Sequence, residues 1–328
     1  MKVKSSLVDE KGQRDLHAKY EEIYAQSDVW LYKKSHGVHS VIYGAVSDLL
    51  PHARVLDAGC GAGRLALMCA TKARHVDGID FSEAAVGLAR LNAKVCGITQ
   101  VDFKVADLDT YTPPEAYDIM TLVGVLEHVP NPVNSLRSLN KLMKPGGTLV
   151  VSCPNFLNFR GNTYMTLLTL LGLPMSLADL RQISYLDIMS WCRETGFELT
   201  RGLGAIYRFG WDQKAIDDMI KRVPLAIRDK KLPIELDIEA YNSWLRSQYD
   251  INHKYLEFLE GQGLLKRIQR QVTLTPQQSS DLASDLWSKM SQYLNEDIEG
   301  DPYYSTTEPF CYQGGEGIYL LRKVGSVS

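Results

Sequence analysis

Arg54-Val55-Leu56-Asp57-Ala58-Gly59-Cys60-Gly61-Ala62-Gly63 decides how this chain folds. Its first half is a short apolar run ahead of turn residues, the pattern of a buried strand. Its second half sets glycines at alternate positions, and a helical pattern follows from Arg64 to about Lys72. A strand that passes through a glycine turn into a helix is the first half of a βαβ unit. The unit then repeats outward. Val76–Asp80 reads as a second strand, and Ser82, with Ala85 at its N3 position, is a suitable N-cap for a helix reaching Cys96. Val101–Val105 and Tyr117–Val123 read as strands three and four. Pro132–Met143 reads as a helix, Lys144-Pro145-Gly146-Gly147 as a turn and Thr148–Cys153 as strand five. Strands alternating with helices of this length predict a parallel sheet covered on both faces. Farther out, a helix over 183–195 stops at Gly196, a strand follows over 197–202, and the last clear strand is 317–324.

Composition narrows the class. The chain has 328 residues, 45% hydrophobic and 23% charged, which fits a globular protein of one large or two modest domains and excludes disordered, collagen-like and coiled-coil chains. A formal charge of −3 gives no reason to expect nucleic acid or an anionic membrane as partner. The cysteines at 60, 69, 96, 153, 192 and 311 form no CxxC pair, so neither a zinc site nor a disulfide scaffold is expected; reduced thiols in a cytoplasm are the simpler reading. Met1–Ser6 leads into charged residues with no apolar h-region, so no signal peptide is expected. The longest apolar stretch, around Tyr164–Leu173, is too short for a membrane helix of about 20 residues.

The glycine loop discriminates between ligands. Glycine lets a backbone come close to a ligand, and a helix N-terminus favours polar or anionic groups. A nicotinamide dinucleotide calls for GxGxxG, but Arg64 stands where the third glycine would be, and Gly63 arrives one residue early. No Gly-Lys-Ser/Thr follows, so the loop is not a P-loop. Asp80 ends strand two, where a carboxylate can accept both hydroxyls of a ribose. Asp107 follows strand three, where one can accept from an adenine amino group. Alone, either acid could simply cap a helix or begin a turn. A glycine loop and two acids at successive strand tips together point to a nucleoside-bearing ligand outside the carboxyl ends of the strands.

Val55–Gly63, Gly78-Ile79-Asp80-Phe81-Ser82, Ala106-Asp107-Leu108, Leu126-Glu127-His128-Val129 and Leu142–Gly147 resemble the successive motifs of class I S-adenosylmethionine-dependent methyltransferases. The likeness is nearest to the small-molecule branch similar to ubiquinone-biosynthesis O-methyltransferases. It is clear over about residues 52–153 and weaker at 183–203 and 317–324. It implies an α/β, Rossmann-like seven-stranded sheet of order 3-2-1-4-5-7-6, with strand seven antiparallel and helices on both faces. It implies S-adenosylmethionine as cofactor and S-adenosylhomocysteine as product. By resemblance, Asp57, Gly59, Cys60, Gly61 and Gly63 line the methionine end. Asp80 holds the ribose with Phe81 against the adenine, Asp107 and Leu108 meet the adenine edge, and Val123 lies beside the cofactor.

Methyl transfer from a sulfonium is an in-line displacement in which alignment of donor and acceptor matters most. A base is needed only for a hydroxyl or a protonated amine. His128 is the best candidate because imidazole titrates near neutral pH. His253, in the C-terminal part, is a second. Asn155 could orient a substrate, but opening the following turn is the favoured expectation. No residues show metal-ligand spacing, so no metal is expected. The expected activity is methylation of an oxygen or nitrogen on a small organic metabolite, such as a natural product or glycan precursor. The alternatives are a cofactor-binding scaffold without turnover and a methyltransferase acting on a protein. Neither nucleic acid nor membrane is expected as partner, and a homodimer is compatible with the sequence.

Three parts are expected: an N-terminal helical lid over 1–51, a core over 52–206 and 313–328, and a mostly helical insertion over 207–312. The lid expectation rests on Leu16, Tyr20 and Tyr24 at helical spacing, followed by Trp30 and Tyr32. The insertion, about a hundred residues, is too long for a structureless loop. Its Trp, Tyr and Phe residues are interleaved with Leu and Ile, and its acids outnumber its bases, which suits a cap over an organic acceptor better than a nucleic-acid clamp.

Overall fold

The computed structural model describes residues 38–155, 181, 183–205, 237–244, 246–247 and 316–325. It also describes positions 18, 21, 217, 220 and 224 and the backbone of 265–267 and 304–306. The described elements run α1 (Val38–Val46), β1 (Arg54–Ala58), α2 (Arg64–Ala70), β2 (His75–Asp80), α3 (Glu83–Cys96), β3 (Val101–Val105) and β4 (Tyr117–Val123). They continue with α4 (Pro132–Leu142), β5 (Met143–Pro154), α5 (Tyr185–Thr195), β6 (Phe197–Ala205), β7 (Leu265–Arg267), β8 (Tyr304–Thr306) and β9 (Glu316–Lys323).

One sheet has the order β3-β2-β1-β4-β5-β9-β6. The first five strands are parallel, and β9 lies between β5 and β6, antiparallel to both. With β9 as its seventh strand, this is the expected order and orientation. Alternate residues face opposite sides of a strand, and the core follows that rule. Val55, Val76 and Ile119 pack with α1, α2 and α3 on one face. Leu56, Ile79 and Met120 pack with Leu136 and Leu139 of α4 and Ile188 and Cys192 of α5 on the other.

The helix ends follow local chemistry. Ser82 Oγ accepts the Ala85 N–H at 3.1 Å. Asn131 caps α4 in the same way, with a proline in the first turn. Ser184 and Asp187 form a reciprocal capping box at the start of α5, and Gly196 ends that helix at φ 69°. β5 begins earlier than the expected turn suggests. Met143 already pairs with Tyr117, the register then shifts, and pairing resumes at Ile119↔Thr148. Lys144–Gly147 is thus an excursion inside the strand.

Within the insertion, the described residues include two short strands besides helical positions. β7 and β8 form an antiparallel pair, and β8 lies against β6. Residues 238–244 are helical, with the Tyr241 and Trp244 rings stacked at 6.0 Å. Tyr20, Tyr24, Trp30, Tyr32 and His253 lie outside the described residues. Among the described residues, no helix is long and apolar enough to cross a membrane.

Candidate functional site

The register brings the functional candidates to one edge. Ala58 pairs with Leu122 and Ile79, Val123 with Ser152, and Pro154 and Ala205 with Glu316. The carboxyl ends of β1, β2, β4, β5 and β6 therefore share a rim with the start of β9. The chain leaves this rim into the insertion at Ala205 and returns at Glu316.

The glycine loop is tied down from β2. The N–H groups of Gly59 and Cys60 donate to the Ile79 carbonyl at 2.8 and 2.9 Å, and the Gly61 N–H donates to Asp80 Oδ2 at 2.9 Å. Gly59, Gly61 and Gly63 have φ of 72°, 51° and 81°, conformations that residues with a Cβ rarely adopt. The sequence explains these glycines by close approach of a ligand. The structure adds another cause. A Cβ on Gly59 would run into the Val125 side chain, and one on Gly63 would come within 2.5 Å of the Phe103 ring. Neighbouring side chains already use that space.

Asp80 is 8% exposed. Its Oδ1 accepts the Ser82 N–H at 2.9 Å while Oδ2 holds Gly61. It therefore organises both the loop and the start of α3. A carboxylate offers about four lone-pair sites, the acceptor chemistry that a pair of ribose hydroxyls calls for. Phe81 and Leu108 are half-buried beside it, and Asp107 is exposed with Oδ1 accepting from the Asp109 N–H at 2.8 Å. An acceptor-rich acid, apolar flanks and a buried glycine loop match the donor set of a ribose, an adenine and a zwitterionic tail. The residues present fit S-adenosylmethionine.

Asp57 faces inward beneath the loop. It is 3% exposed, with Oδ1 accepting from Thr121 Oγ1 at 2.7 Å and Oδ2 from the Ala66 N–H at 3.1 Å. Burial pushes its carboxyl up to about 6 against those two hydrogen bonds. This geometry ties the start of α2 to β4. Cys60 is buried, and burial together with Asp57 and Asp80 pushes its thiol up, so it is an inert packing group.

The loop after β4 turns at Gly124 (φ 63°), and the His128 N–H donates to the Val125 carbonyl at 2.9 Å. Glu127 is 4% exposed, and its Oε1 lies 3.9 Å from His128 Nε2. Arg181 donates to the carbonyls of Val129 and Pro130, bracing the same loop from outside. Behind it, Ser152 Oγ donates to Glu316 Oε1 at 3.0 Å, and Tyr319 Oη donates to Asn155 Oδ1 at 3.5 Å. Asn155 is buried just past the end of β5. Burial and the charges of Glu127, Glu316 and Asp187 push the Cys153 thiol up.

Sequence reasoning missed Thr121, Arg181, Glu316 and Tyr319, which act across long separations. The one usable signal was positional, since Glu316 is where the insertion rejoins the sheet. His128, Val123, Asp80 and the glycine loop are brought to one rim.

A family model described as a methyltransferase domain matches residues 49–194. Ubiquinone biosynthesis O-methyltransferases from Azoarcus sp. (strain BH72) and Aromatoleum aromaticum are 35% identical over 162 residues and 36% over 160, each match covering 47% of this chain and 68% of the relative. A solved structure described as a SAM-dependent methyltransferase, possible histamine N-methyltransferase, from Thermotoga maritima is similar at 15% identity with a TM-score of 0.49, covering 93% of this chain and 99% of that one. With the sheet order and rim already described, the relatives at this identity and coverage make the chain a member of the class I S-adenosylmethionine-dependent methyltransferases.

Proposed function

We propose that this enzyme methylates a hydroxyl oxygen of a small organic acceptor bound on the Val123–His128 side of the rim, beneath the insertion. One observation carries the reading. A histidine beside a buried carboxylate follows the same strand tip that reaches the cofactor rim, and the curated relatives are named O-methyltransferases.

When bound, the cofactor supplies an electrophilic methyl on a sulfonium. The chain's own residues do the rest. Asp80 accepts the ribose hydroxyls while holding Gly61 and Ser82 in place. Gly59, Cys60, Gly61 and Gly63 shape the methionine end, with Asp57 fixing the loop from below through Ala66 and Thr121. Phe81, Asp107 and Leu108 flank the adenine, and Val123 packs beside the reacting centre. His128 Nε2 takes the hydroxyl proton, and Glu127 beside it stabilises the imidazolium that results. Alignment supplies most of the acceleration. The insertion, anchored at Ala205 and Glu316 on the same rim, caps the acceptor, with 1–51 covering the cofactor from the other side. A cytoplasmic setting agrees with the buried free thiols at 60, 69, 96, 153 and 192.

The test is release of S-adenosylhomocysteine from the purified full chain with matched phenols and anilines. Turnover on the phenols, with methyl ether as product, is the expected result. N-methylation alone would overturn the oxygen assignment.

A further inference from the structure

The loop after β4 touches the glycine loop through the side chain of Val125. This valine is half-buried and packs against the core on the α4 side of the sheet. Its Cγ2 methyl is the nearest atom to a Cβ placed on Gly59, with its own Cβ and Cγ1 next at 3.6 and 3.7 Å. Val125 therefore fills the place that a side chain on Gly59 would take, with its Cγ2 methyl against the Gly59 backbone. Gly63, at the other end of the loop, meets Phe103 instead. Attraction between close-packed atoms fades within a fraction of an ångström, so a contact of this kind fixes a distance.

Val125 is also the residue on which His128 turns. Its carbonyl accepts the His128 N–H at 2.9 Å, closing a turn over Leu126 and Glu127, both buried. The two loops have their own anchors. The glycine loop hangs from the Ile79 carbonyl and Asp80 Oδ2. The β4 loop hangs from the Ser152 carbonyl, which accepts the Gly124 N–H at 3.1 Å, and from Arg181. Val125 joins them. One loop shapes the methionine end of the cofactor, and the other carries the imidazole.

We propose that Val125 is a positioning residue for methyl transfer: its side chain seats the β4 loop on the Gly59 backbone and so sets where His128 stands relative to the methyl donor. The proposal rests on the reading that His128 takes the acceptor's hydroxyl proton. Val125→Ala removes both γ-methyls and opens a gap between the loops. His128 keeps its turn hydrogen bond but loses its fixed distance from the glycine loop. Turnover of an un-ionised phenol falls about tenfold to a hundredfold, the effect of a small misplacement of a reacting group. Affinity for S-adenosylhomocysteine stays near the wild-type value, because Ile79 and Asp80 hold the glycine loop without Val125. Val125→Ile keeps the Cγ2 methyl and near-normal turnover.

The experiment follows S-adenosylhomocysteine release from the full chain with two phenols at mildly alkaline pH. Para-cresol titrates at about 10, as tyrosine does, and needs a base. Para-nitrophenol is already ionised and brings no proton to remove. In Val125→Ala the loss is confined to para-cresol. Equal loss on both phenols, or none, overturns the positioning role, as does a loss in Val125→Ile as large as that in Val125→Ala. His128→Ala, run in parallel, separates the two ideas. If it shows the loss confined to para-cresol and Val125→Ala does not, the seat falls and the base stands. If His128→Ala turns over both phenols normally, both fall. Calorimetric titration with S-adenosylhomocysteine tests the contact with no acceptor present. Gly59→Ala puts a methyl into the Val125 side chain and loses affinity, and adding Val125→Ala, whose Cβ lies 3.6 Å away, restores part of it. No recovery in the double variant overturns the seat.

Discussion

Asp77 and Asp80 lie on one strand, both buried, yet they are answered by different partners. Asp77, toward the amino end of β2, accepts from Arg54 Nη2 at 2.6 Å, Tyr117 Oη at 2.8 Å and Lys104 Nζ at 3.1 Å. Arg54 also lies over the Tyr117 ring, 5.0 Å from its centroid. Asp80, at the carboxyl end, is held by backbone N–H groups alone in the contacts described above. Side-chain cations pair with Asp77. Backbone N–H groups steady Asp80. A parallel sheet concentrates its strand-tip ligands at the carboxyl edge, so the chain can lock one end with charge pairs and shape the other with backbone N–H groups. His75, Asp77 and Asp102 bring ligand-type atoms within 4.8 Å of one another, but Arg54 and Lys104 already claim Asp77. That end is a clamp.

If this division holds, substitutions at the two ends fail in different assays. The largest effect belongs to the carboxyl edge. His128→Ala is expected to lower turnover roughly 10²–10⁴-fold with cofactor affinity and urea midpoint unchanged, which steady-state kinetics and calorimetry check together. Near-normal turnover would leave alignment as the whole mechanism. At the other end, Asp77→Ala strands the buried Arg54 charge and is expected to cost about 3–5 kcal/mol of stability in urea titration. An unchanged midpoint would erase the distinction between the ends. Asp80→Ala should weaken S-adenosylmethionine binding by about 1–3 kcal/mol, the cost of leaving buried polar partners unmatched. Wild-type affinity would move the ribose elsewhere.

The two ends also part company with pH, and the signs differ. Burial works to raise Asp77, but hydrogen bonds from Tyr117, Arg54 and Lys104 outweigh it and hold the carboxyl below its usual range. Its stabilisation is present above about pH 4 and is lost as pH falls through the lowered value, so the penalty of Asp77→Asn should shrink below about pH 4. Asp57 is the reverse. Burial raises it to about 6, so its contribution is fully present below about pH 4 and is lost as pH rises through about 6. Relative to wild type, Asp57→Asn should gain stability between about pH 4 and 7. Urea unfolding from about pH 3 to 7 checks both, and parallel slopes in the two variants would sink the assignment. The smallest effect is Ser82→Ala, about 1 kcal/mol for the lost cap. It is expected in stability with cofactor affinity kept, because Ser82 meets Asp80 through its backbone N–H, which alanine retains.

What the sequence made legible was whatever short-range chemistry determines. The strand runs, the glycine loop, the Ser82 cap and the Gly196 stop each depend on a few neighbouring residues, and each was found where expected. The rim acids were readable because residue type and strand tip coincide. Contacts between distant segments leave no local trace. Glu316 meets Ser152, Glu21 meets α3, and Phe103 fills the space beside Gly63 and Gly78. The β7–β8 pair was hidden for the same reason, since two short strands far apart in sequence carry no periodicity long enough to stand out.

One consequence concerns how the molecule is made. β9 sits between β5 and β6, with Thr148 paired to Arg322 and Phe197 to Lys323. Lys323 reaches back to donate to the carbonyls of Asn140 and Met143 at 2.6 and 2.8 Å, and Asn140 Nδ2 donates to the Gly325 carbonyl at 3.0 Å. During synthesis β1 to β5 can pair as they emerge, but β6 has no neighbour in the sheet until the whole insertion has been made and β9 arrives. Until then β5 and β6 each present an unpaired edge, the kind of surface that invites association with other chains. Closing the sheet also requires ends far apart in sequence to meet, which slows folding. The long stretch between β6 and β9 therefore lengthens the interval in which the nascent chain is most exposed to misassembly.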